Sequence, residues 1–235
     1  MSSRVNPYAR AYAEFSSATT DHELTVLHDD GLYRHLRMRA PGTMMWGWDV
    51  ITWPGHLTTS GDIADGYVFT RDTDMLAFFS VPEHLRHYYA DGAPCIDISY
   101  WAEKLVGHDS YTRVRHYDHE SFLIRTRTAL EEHENLSTAA IAALRSGDAD
   151  DLVDPDPAEA DRLQARRDEF LADLNDTDPD EELVGAQRFL SDHEDIVGDD
   201  WWEWDLTGFD HHFVLTCYAL ELTTRLWYER RDAVA

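Results

Sequence analysis

Hydrophobic and polar residues alternate between residues 22 and 70, as they do in half-buried β-strands. Turn signals interrupt the alternation at Asp29-Asp30-Gly31, Pro41-Gly42, Pro54-Gly55, Gly61-Asp62 and Asp65-Gly66. The predicted strands lie at about residues 22–28, 32–40, 43–52, 56–60 and 67–70. Consecutive strands joined by tight turns favour a five-stranded antiparallel sheet in meander order, organised around the aromatic-rich stretch 44–71.

After residue 71 the hydrophobic period changes to that of helices. Asp72 is a candidate N-cap for a helix that carries Met75, Leu76, Phe78 and Phe79 on one face. Pro82 starts a second short segment, and the run YWAEKLVG at 100–107 predicts another one or two helical turns. The longer predicted helices span about residues 117–133, 135–147, 158–175, 179–192 and 209–231.

These elements predict an α+β fold in three parts. Residues 1–147 form a core domain, in which helices cover one face of the sheet. The acidic, proline-containing segment 148–158 introduces an acidic helical appendage at 148–205. Residues 206–235 supply an amphipathic helix that packs back on the core.

The charge of the chain is concentrated in the predicted appendage. The formal net charge is −26, and residues 148–205 hold 22 acidic and 4 basic side chains. Such a surface repels nucleic acid backbones and anionic membranes, so direct nucleic-acid binding is not expected unless Arg113, Arg115, Arg125 and Arg127 form a basic patch. There are 19 Arg and one Lys, which fits either high-GC coding, the favoured reading, or adaptation to high salt.

The two cysteines, Cys95 and Cys217, have neither CxxC nor zinc-site spacing, and nothing in the sequence supports a disulfide between them. The first residues contain no continuous apolar stretch of the kind found in a secretory signal, and no window of about 18 apolar residues is present. We therefore expect a cytoplasmic protein without a membrane span.

Residues 22–105 contain HDDGLYRHLRMRAPGT, WDVITWPGHLTTSGDIADGYVFTR, DMLAFF and ISYWAEKL. This run resembles a family of uncharacterised bacteriophage and prophage proteins, which carry a strand close to FDLITWPGHL followed by segments similar to GDMGTYVF and DMFxFF. The chain departs from that pattern at 63–66, where IADG resembles an insertion. The resemblance covers about a third of the chain and implies a phage-derived, intracellular accessory protein. It carries over no catalytic residue, cofactor or fold.

The predicted meander contains polar residues that general acid–base chemistry needs. Asp49, His56 and Asp62 lie near its turns, with Trp53 between them, and two carboxylates and a histidine can exchange protons if they converge. The structural alternative is favoured: Asp62 stabilises its turn, and Asp49 pairs with a neighbouring arginine on the sheet.

Other candidates carry weaker patterns. His116 and Glu120 have the i, i+4 spacing that can bind a metal ion from one helix face, but they match no HExxH motif, and a solvated helix start is the favoured interpretation. The same applies to His84 with His87, whereas Asp210 before His211 and His212 is most simply a helix cap. No GxSxG, Walker A or GxGxxG motif is present, and no cofactor is predicted.

The acidic segment predicts a binding surface as an alternative to a merely solvated one. An array of carboxylates can imitate DNA phosphates and occupy a nuclease or repressor cleft. Trp201, Trp202 and Trp204 are candidate protein-binding anchors, or else they dock the acidic helices on the sheet. The predicted function is an accessory protein of phage or prophage origin that binds a host or phage protein without catalysis. The alternative is a small-molecule or metal-dependent enzyme with its site on the meander.

Overall fold

The computed structural model describes residues 5–64, 66–108, 114–146, 157–177 and 183–233, and only the backbone of 136–146, 157–161 and 163. Its helices are α1 Ala9–Ala18, α2 Met75–Phe78, α3 Ile98–Ala102, α4 His119–Ser146, α5 Pro157–Asn175, α6 Leu183–Asp192, α7 Glu194–Val197 and α8 His211–Asp232, with 3₁₀ turns at Glu83–Leu85 and Trp201–Glu203. Its strands are β1 Glu23–Asp30, β2 Tyr33–Arg39, β3 Trp48–Trp53, β4 His56–Gly61, β5 Val68–Thr70, β6 Leu105–Gly107, β7 Arg115–Tyr117 and β8 Thr207–Phe209.

The main sheet has the order β1-β2-β3-β4-β5-β6, and every neighbouring pair is antiparallel. The α+β class and the antiparallel sheet are confirmed, but the sheet has six strands, one more than predicted. The sixth strand is the Leu105–Gly107 segment, which the sequence predicted as part of a helix. Three residues are too few to show a hydrophobic period, and they pair with the edge that β5 leaves open.

The strand alternation places one face of the sheet in the core. Leu36, Met38 and Val50 are fully buried, and Trp48 is nearly so, whereas Arg37 and Asp49 lie on the opposite face. Because side chains alternate with a period of two, this burial follows directly from the apolar and polar pattern of β2 and β3.

Helix α8 packs against β1, β3, α1 and α3, and its residues between Phe213 and Thr224 are almost all buried. Because α8 contacts helices as well as the sheet, its apolar residues are not confined to one stripe. The carboxylate of Asp210 accepts a 2.8 Å hydrogen bond from the backbone N–H of His212 and caps the helix, as the sequence indicated.

The chain divides into two compact units. The first unit comprises Met1–Val114 and Phe209–Ala235 and contains the six-stranded sheet and α8. The second unit, Arg115–Gly208, contains helices α4 to α7. Residues 115–147, which the sequence analysis assigned to the core domain, belong to the second unit. Of the segment 148–158 that was interpreted as the linker, residues 148–156 lie outside the described residues.

The second unit has its own hydrophobic cluster, in which Phe122, Phe170 and Leu190 are fully buried. Helix α4 contributes Phe122 and runs without interruption to Ser146, although two helices were predicted there. Asn135 and Ser137 are weak helix formers that commonly cap helices, but neither breaks one as proline does. Among the helices that the structure describes, none is long and apolar enough to cross a membrane.

Candidate functional sites

Asp49 lies on the outer face of the sheet and is held by two residues of β2. The Arg37 guanidinium donates two 2.8 Å hydrogen bonds to its carboxylate, and His35 Nε2 lies 2.9 Å from Oδ2. Burial raises the pKa of Asp49, but these hydrogen bonds and positive charges outweigh burial and bring the pKa below its usual value. The carboxylate therefore acts as a stable anion in a cross-strand ion pair.

His56 stacks on the indole of Trp53, with ring centroids 5.0 Å apart and nearly parallel planes. Its Nδ1 lies 3.1 Å from the carbonyl oxygen of Pro54, so Nδ1 carries the hydrogen of this contact. The two residues face each other across the β3–β4 turn, where they form a half-exposed aromatic pair. The predicted binding residue Trp53 therefore lies in an aromatic pair with His56.

The sheet register separates the three residues that the sequence grouped as acid–base candidates. Asp49 pairs with Ser60, whereas His56 pairs with Trp53, four residues further along β3 and roughly 13 Å away at the usual rise of a strand. Asp62 accepts a 2.9 Å hydrogen bond from the backbone N–H of Trp46, which has a left-handed φ of 58°. The three side chains thus serve different local structures, and direct proton transfer needs hydrogen-bond reach.

His116 and Glu120 do not share a helix face. His116 lies in β7, and Glu120 lies in the first turn of α4, so the i, i+4 geometry on which a metal site depended is absent for this pair. Within the ranges that the structure describes, no three His, Cys, Asp or Glu side chains form a group that could hold a metal ion. His87 Nδ1 lies 3.2 Å from the Gly92 carbonyl oxygen, and His211 Nε2 lies 3.0 Å from the Glu14 carboxylate.

Both cysteines are free thiols. Cys217 is fully buried in α8, and burial raises the pKa of its thiol far above the usual value, which leaves it unreactive at neutral pH. Cys95 is half-buried, and its sulfur lies 3.8 Å from the hydroxyl of Tyr89.

A pocket that sequence reasoning missed lies in the first unit between α1 and α8. Its volume is about 180 Å³, and Arg86 and His87 are among its lining residues. Glu221 and Arg225 reach it from α8, and Tyr12 and Phe15 reach it from α1. Tyr218 stacks on Phe15 with ring centroids 5.9 Å apart, so the lining combines aromatic and charged side chains.

Glu221 is the buried carboxylate of this pocket, with a residue exposure of 6%. Its Oε1 lies 3.4 Å from Arg225 Nε, a loose contact compared with the 2.8 Å bonds between Arg37 and Asp49. Burial raises the pKa of Glu221, and the charges of Arg225 and Arg86 only partly oppose this effect. A titratable group perturbed by burial inside a concave site is a common feature of binding and catalytic sites.

Hydrogen bonds to one carbonyl oxygen order the rim of the pocket. The hydroxyl of Tyr12 donates to the Gly92 carbonyl at 3.3 Å, and His87 Nδ1 approaches the same oxygen. Burial raises the pKa of Tyr12, with further contributions from the negative charges of Asp91 and Glu221. The phenol therefore stays protonated near neutral pH and remains a hydrogen-bond donor.

The sequence held one signal for this pocket. Glu221 is the single acidic residue in the apolar stretch of α8, and Arg225 follows at i, i+4. That pattern alone is typical of an exposed helix pair. Only the fold brings Arg86 and Tyr12 to the same place.

A second candidate surface lies after α7 in the second unit. Trp201 and Trp204 pack against the hydrophobic cluster of that unit, whereas Trp202 is 69% exposed. The 3₁₀ turn Trp201–Glu203 is closed by a 2.9 Å hydrogen bond from the N–H of Glu203 to the carbonyl oxygen of Asp200. The three tryptophans therefore have two roles: two anchor the turn, and one presents its indole to solvent.

No family model, no curated protein and no solved structure matches this chain.

Proposed function

We propose that the chain is an accessory binding protein of phage or prophage origin, and that the second unit binds a partner protein with basic and apolar surface groups. The resemblance of residues 22–105 to phage-encoded proteins supports the origin. The supporting observation for the binding surface is an exposed tryptophan close in sequence to carboxylates that pair with no cationic side chain among the described residues. The surface around Trp202, defined by Asp199, Asp200, Trp202 and Glu203, is the proposed contact.

The exposure of Trp202 is the observation that carries this proposal. Tryptophan is on average one of the more buried residue types, and this one leaves 69% of its surface in water. Its neighbours Trp201 and Trp204 hold the turn in place. Binding of a partner at Trp202 therefore has little additional loop to order, which lowers the entropy cost of binding. Tryptophan is also enriched among the residues that dominate the binding energy of protein interfaces.

Carboxylates are close to this indole in the sequence. Every described Asp and Glu between residues 168 and 205 is exposed. Of these, six make no ion pair with any residue that the structure describes: Asp176, Asp192, Glu194, Asp199, Asp200 and Glu203. With 22 acidic and 4 basic residues in 148–205, the segment acts as an acidic lobe that attracts basic surfaces over a Debye length.

A basic, DNA-binding surface of a host protein is a partner of the right chemistry. Carboxylates spaced along a helical unit present negative charge as a phosphate backbone does. Trp202 adds an apolar contact that negative charge alone would not provide. One such partner is a host defence nuclease, which the bound chain would inhibit by occupying its DNA-binding surface.

The test is affinity capture from a lysate of the host cell with the full chain as bait. We expect the wild-type chain to retain a partner that Trp202→Ser and the triple variant Asp199→Asn/Asp200→Asn/Glu203→Gln lose. The matched control is Asp21→Asn/Glu23→Gln/Asp30→Asn, which changes the net charge equally at exposed sites of the first unit. Capture that survives both test variants, or that disappears equally with the control, contradicts the proposed surface.

A further inference from the structure

We propose that the pocket between α1 and α8 binds a small organic carboxylate whose anionic group is held by Arg225 and Arg86 and whose apolar part lies against Phe15 and Tyr218. This site is in the first unit and is independent of the protein-binding surface proposed for the second. No catalytic step is assigned to it.

The two guanidinium groups already converge on one carboxylate oxygen. Arg225 Nη1 and Arg86 Nη1 lie 3.5 and 3.8 Å from the same atom, Oε1 of Glu229. Glu229 is half-exposed, and its side chain does not line the pocket. Arg225 and Arg86 themselves line the pocket, so their guanidinium groups can exchange these long contacts for bonds to a carboxylate that enters it.

The charge of the pocket favours an anion over a cation. Two guanidinium groups, those of Arg86 and Arg225, line the pocket, and Glu221 supplies the one carboxylate among its lining residues. Among the lining residues the cations outnumber the carboxylates in a chain of net charge −26, so the preference for an anion does not follow from the overall field of the protein. Tyr12 adds a hydroxyl at the rim, and Arg guanidinium groups suit the planar geometry of a carboxylate.

The size and the aromatic wall limit the ligand. A volume of about 180 Å³ is close to that of an engineered cavity of about 150 Å³ that binds benzene. A molecule of one ring, or a short aliphatic chain, with one carboxylate therefore fits. The Phe15 and Tyr218 rings, which stack at an interplanar angle of 28°, favour a flat apolar body.

Isothermal titration calorimetry with benzoate as the probe tests this site, with benzamide and benzylamine as neutral and cationic probes of the same shape. We expect benzoate to bind more tightly than either. Arg225→Gln and, separately, Arg86→Gln are expected to weaken benzoate binding about tenfold or more, since each removes a charge-assisted hydrogen bond. Glu229→Gln is expected to strengthen it, because a competing carboxylate is removed.

Arg230→Gln is the matched control, since Arg230 is exposed on the same helix and does not line the pocket. Circular dichroism checks that each variant is folded, and the two arginine variants test the same site from different parts of the chain. A benzoate Kd above about 10 mM, equal or tighter binding of benzylamine, or unchanged affinity in both arginine variants overturns the proposal.

Discussion

The indole Nε1 of Trp48 donates a 2.8 Å hydrogen bond to the hydroxyl of Thr223, 175 residues further along the chain. Both side chains are buried, so this bond joins the strand at the centre of the meander to the helix that fills the core. The Thr223 hydroxyl in turn donates to the Ala219 carbonyl oxygen at 2.8 Å. The contact is therefore a short buried network in which each polar group is satisfied.

Thr223→Val is expected to destabilise the protein by about 1–3 kcal/mol, because it leaves the Trp48 N–H buried without an acceptor. Valine has nearly the shape of threonine and is also branched at Cβ, so packing and helix propensity change little. The measurement is the free energy of unfolding in urea, with near-ultraviolet circular dichroism reporting on the tryptophan environment.

Thr224 provides an internal control for that experiment. It is equally buried, but its hydroxyl has no hydrogen-bond partner among the described residues. Thr224→Val removes an unsatisfied polar group and is expected to leave stability unchanged or raise it by about 1 kcal/mol. If both variants lose similar stability, the hydrogen bond to Trp48 is not the cause.

Arg34 and Asp74 form a second contact that links the sheet to a helix. Two hydrogen bonds of 2.8 and 3.0 Å join them, Arg34 is only 4% exposed, and its guanidinium lies 4.5 Å from the Trp227 ring centroid. Asp74→Ala is expected to cost about 2 kcal/mol, because it leaves the buried Arg34 with only a 3.7 Å contact to Asp29 and removes the cap of α2. Asp72→Ala, at an exposed position two residues earlier, is the control and is expected to have little effect.

The contact between Arg34 and Asp74 also predicts how the stability of the protein changes at acidic pH. Burial alone raises the pKa of Asp74, but its bonds to Arg34 and to backbone N–H groups outweigh burial and lower the pKa below its usual value. A lowered pKa contributes stability above the unfolded pKa, and this stability is lost as the pH falls through the folded value. The difference in unfolding free energy between wild type and Asp74→Ala should therefore shrink below about pH 4; a constant difference contradicts this explanation.

Glu221 predicts the opposite pH dependence. Its pKa is raised above the ordinary value of 4.5 by burial, although Arg225 on α8 and Arg86 oppose the shift, and Glu229 adds to it. Tyr12 faces it from α1. A raised pKa gives wild type stability below the unfolded pKa that is lost as the pH rises through the folded value.

Glu221→Gln is therefore expected to be more stable than wild type at pH 7 and to lose this advantage near pH 4. Urea unfolding at several pH values measures it. Glu23→Gln, at an exposed position on β1, is the control and should show no comparable change. If Glu221→Gln is less stable than wild type at neutral pH, the carboxylate is better solvated in the pocket than its burial indicates.

The meander was predictable because its information is local. Alternation in β2 and β3 specifies which residues are buried, and Leu36 and Met38 are fully buried as the pattern requires. The Leu105–Gly107 strand was not predictable, because a three-residue apolar run becomes a strand only when a neighbouring edge is present. The continuity of α4 was not predictable either, because no residue near Asn135 forces the helix to stop or to continue.

The candidate sites were less predictable because they depend on long-range packing. Asp49, His56 and Asp62 are close in sequence, but the strand register separates them. Conversely, Glu221 and Arg86 are far apart in sequence and meet in one pocket. The acidic character of residues 148–205 was visible from composition alone, whereas the exposure of Trp202 among its tryptophan neighbours depends on how the turn packs.

Gly61, the last residue of β4, lies directly against the backbone at the start of β3. Its φ is 129°, and a Cβ atom there would lie 2.4 Å from the Gly47 carbonyl oxygen and 2.7 Å from the Trp48 Cα, which are backbone atoms that cannot move aside independently. Gly61→Ala is therefore expected to cost about 3 kcal/mol or more, from overpacking and from a conformation that L-residues avoid. Gly55→Ala is the control, because Gly55 also has a positive φ, of 78°, but its Cβ would meet no described atom within 4 Å, so about 1 kcal/mol is expected. Urea unfolding measures both, and equal losses in the two variants would mean that backbone conformation, and not the close approach of β3 to β4, limits this position.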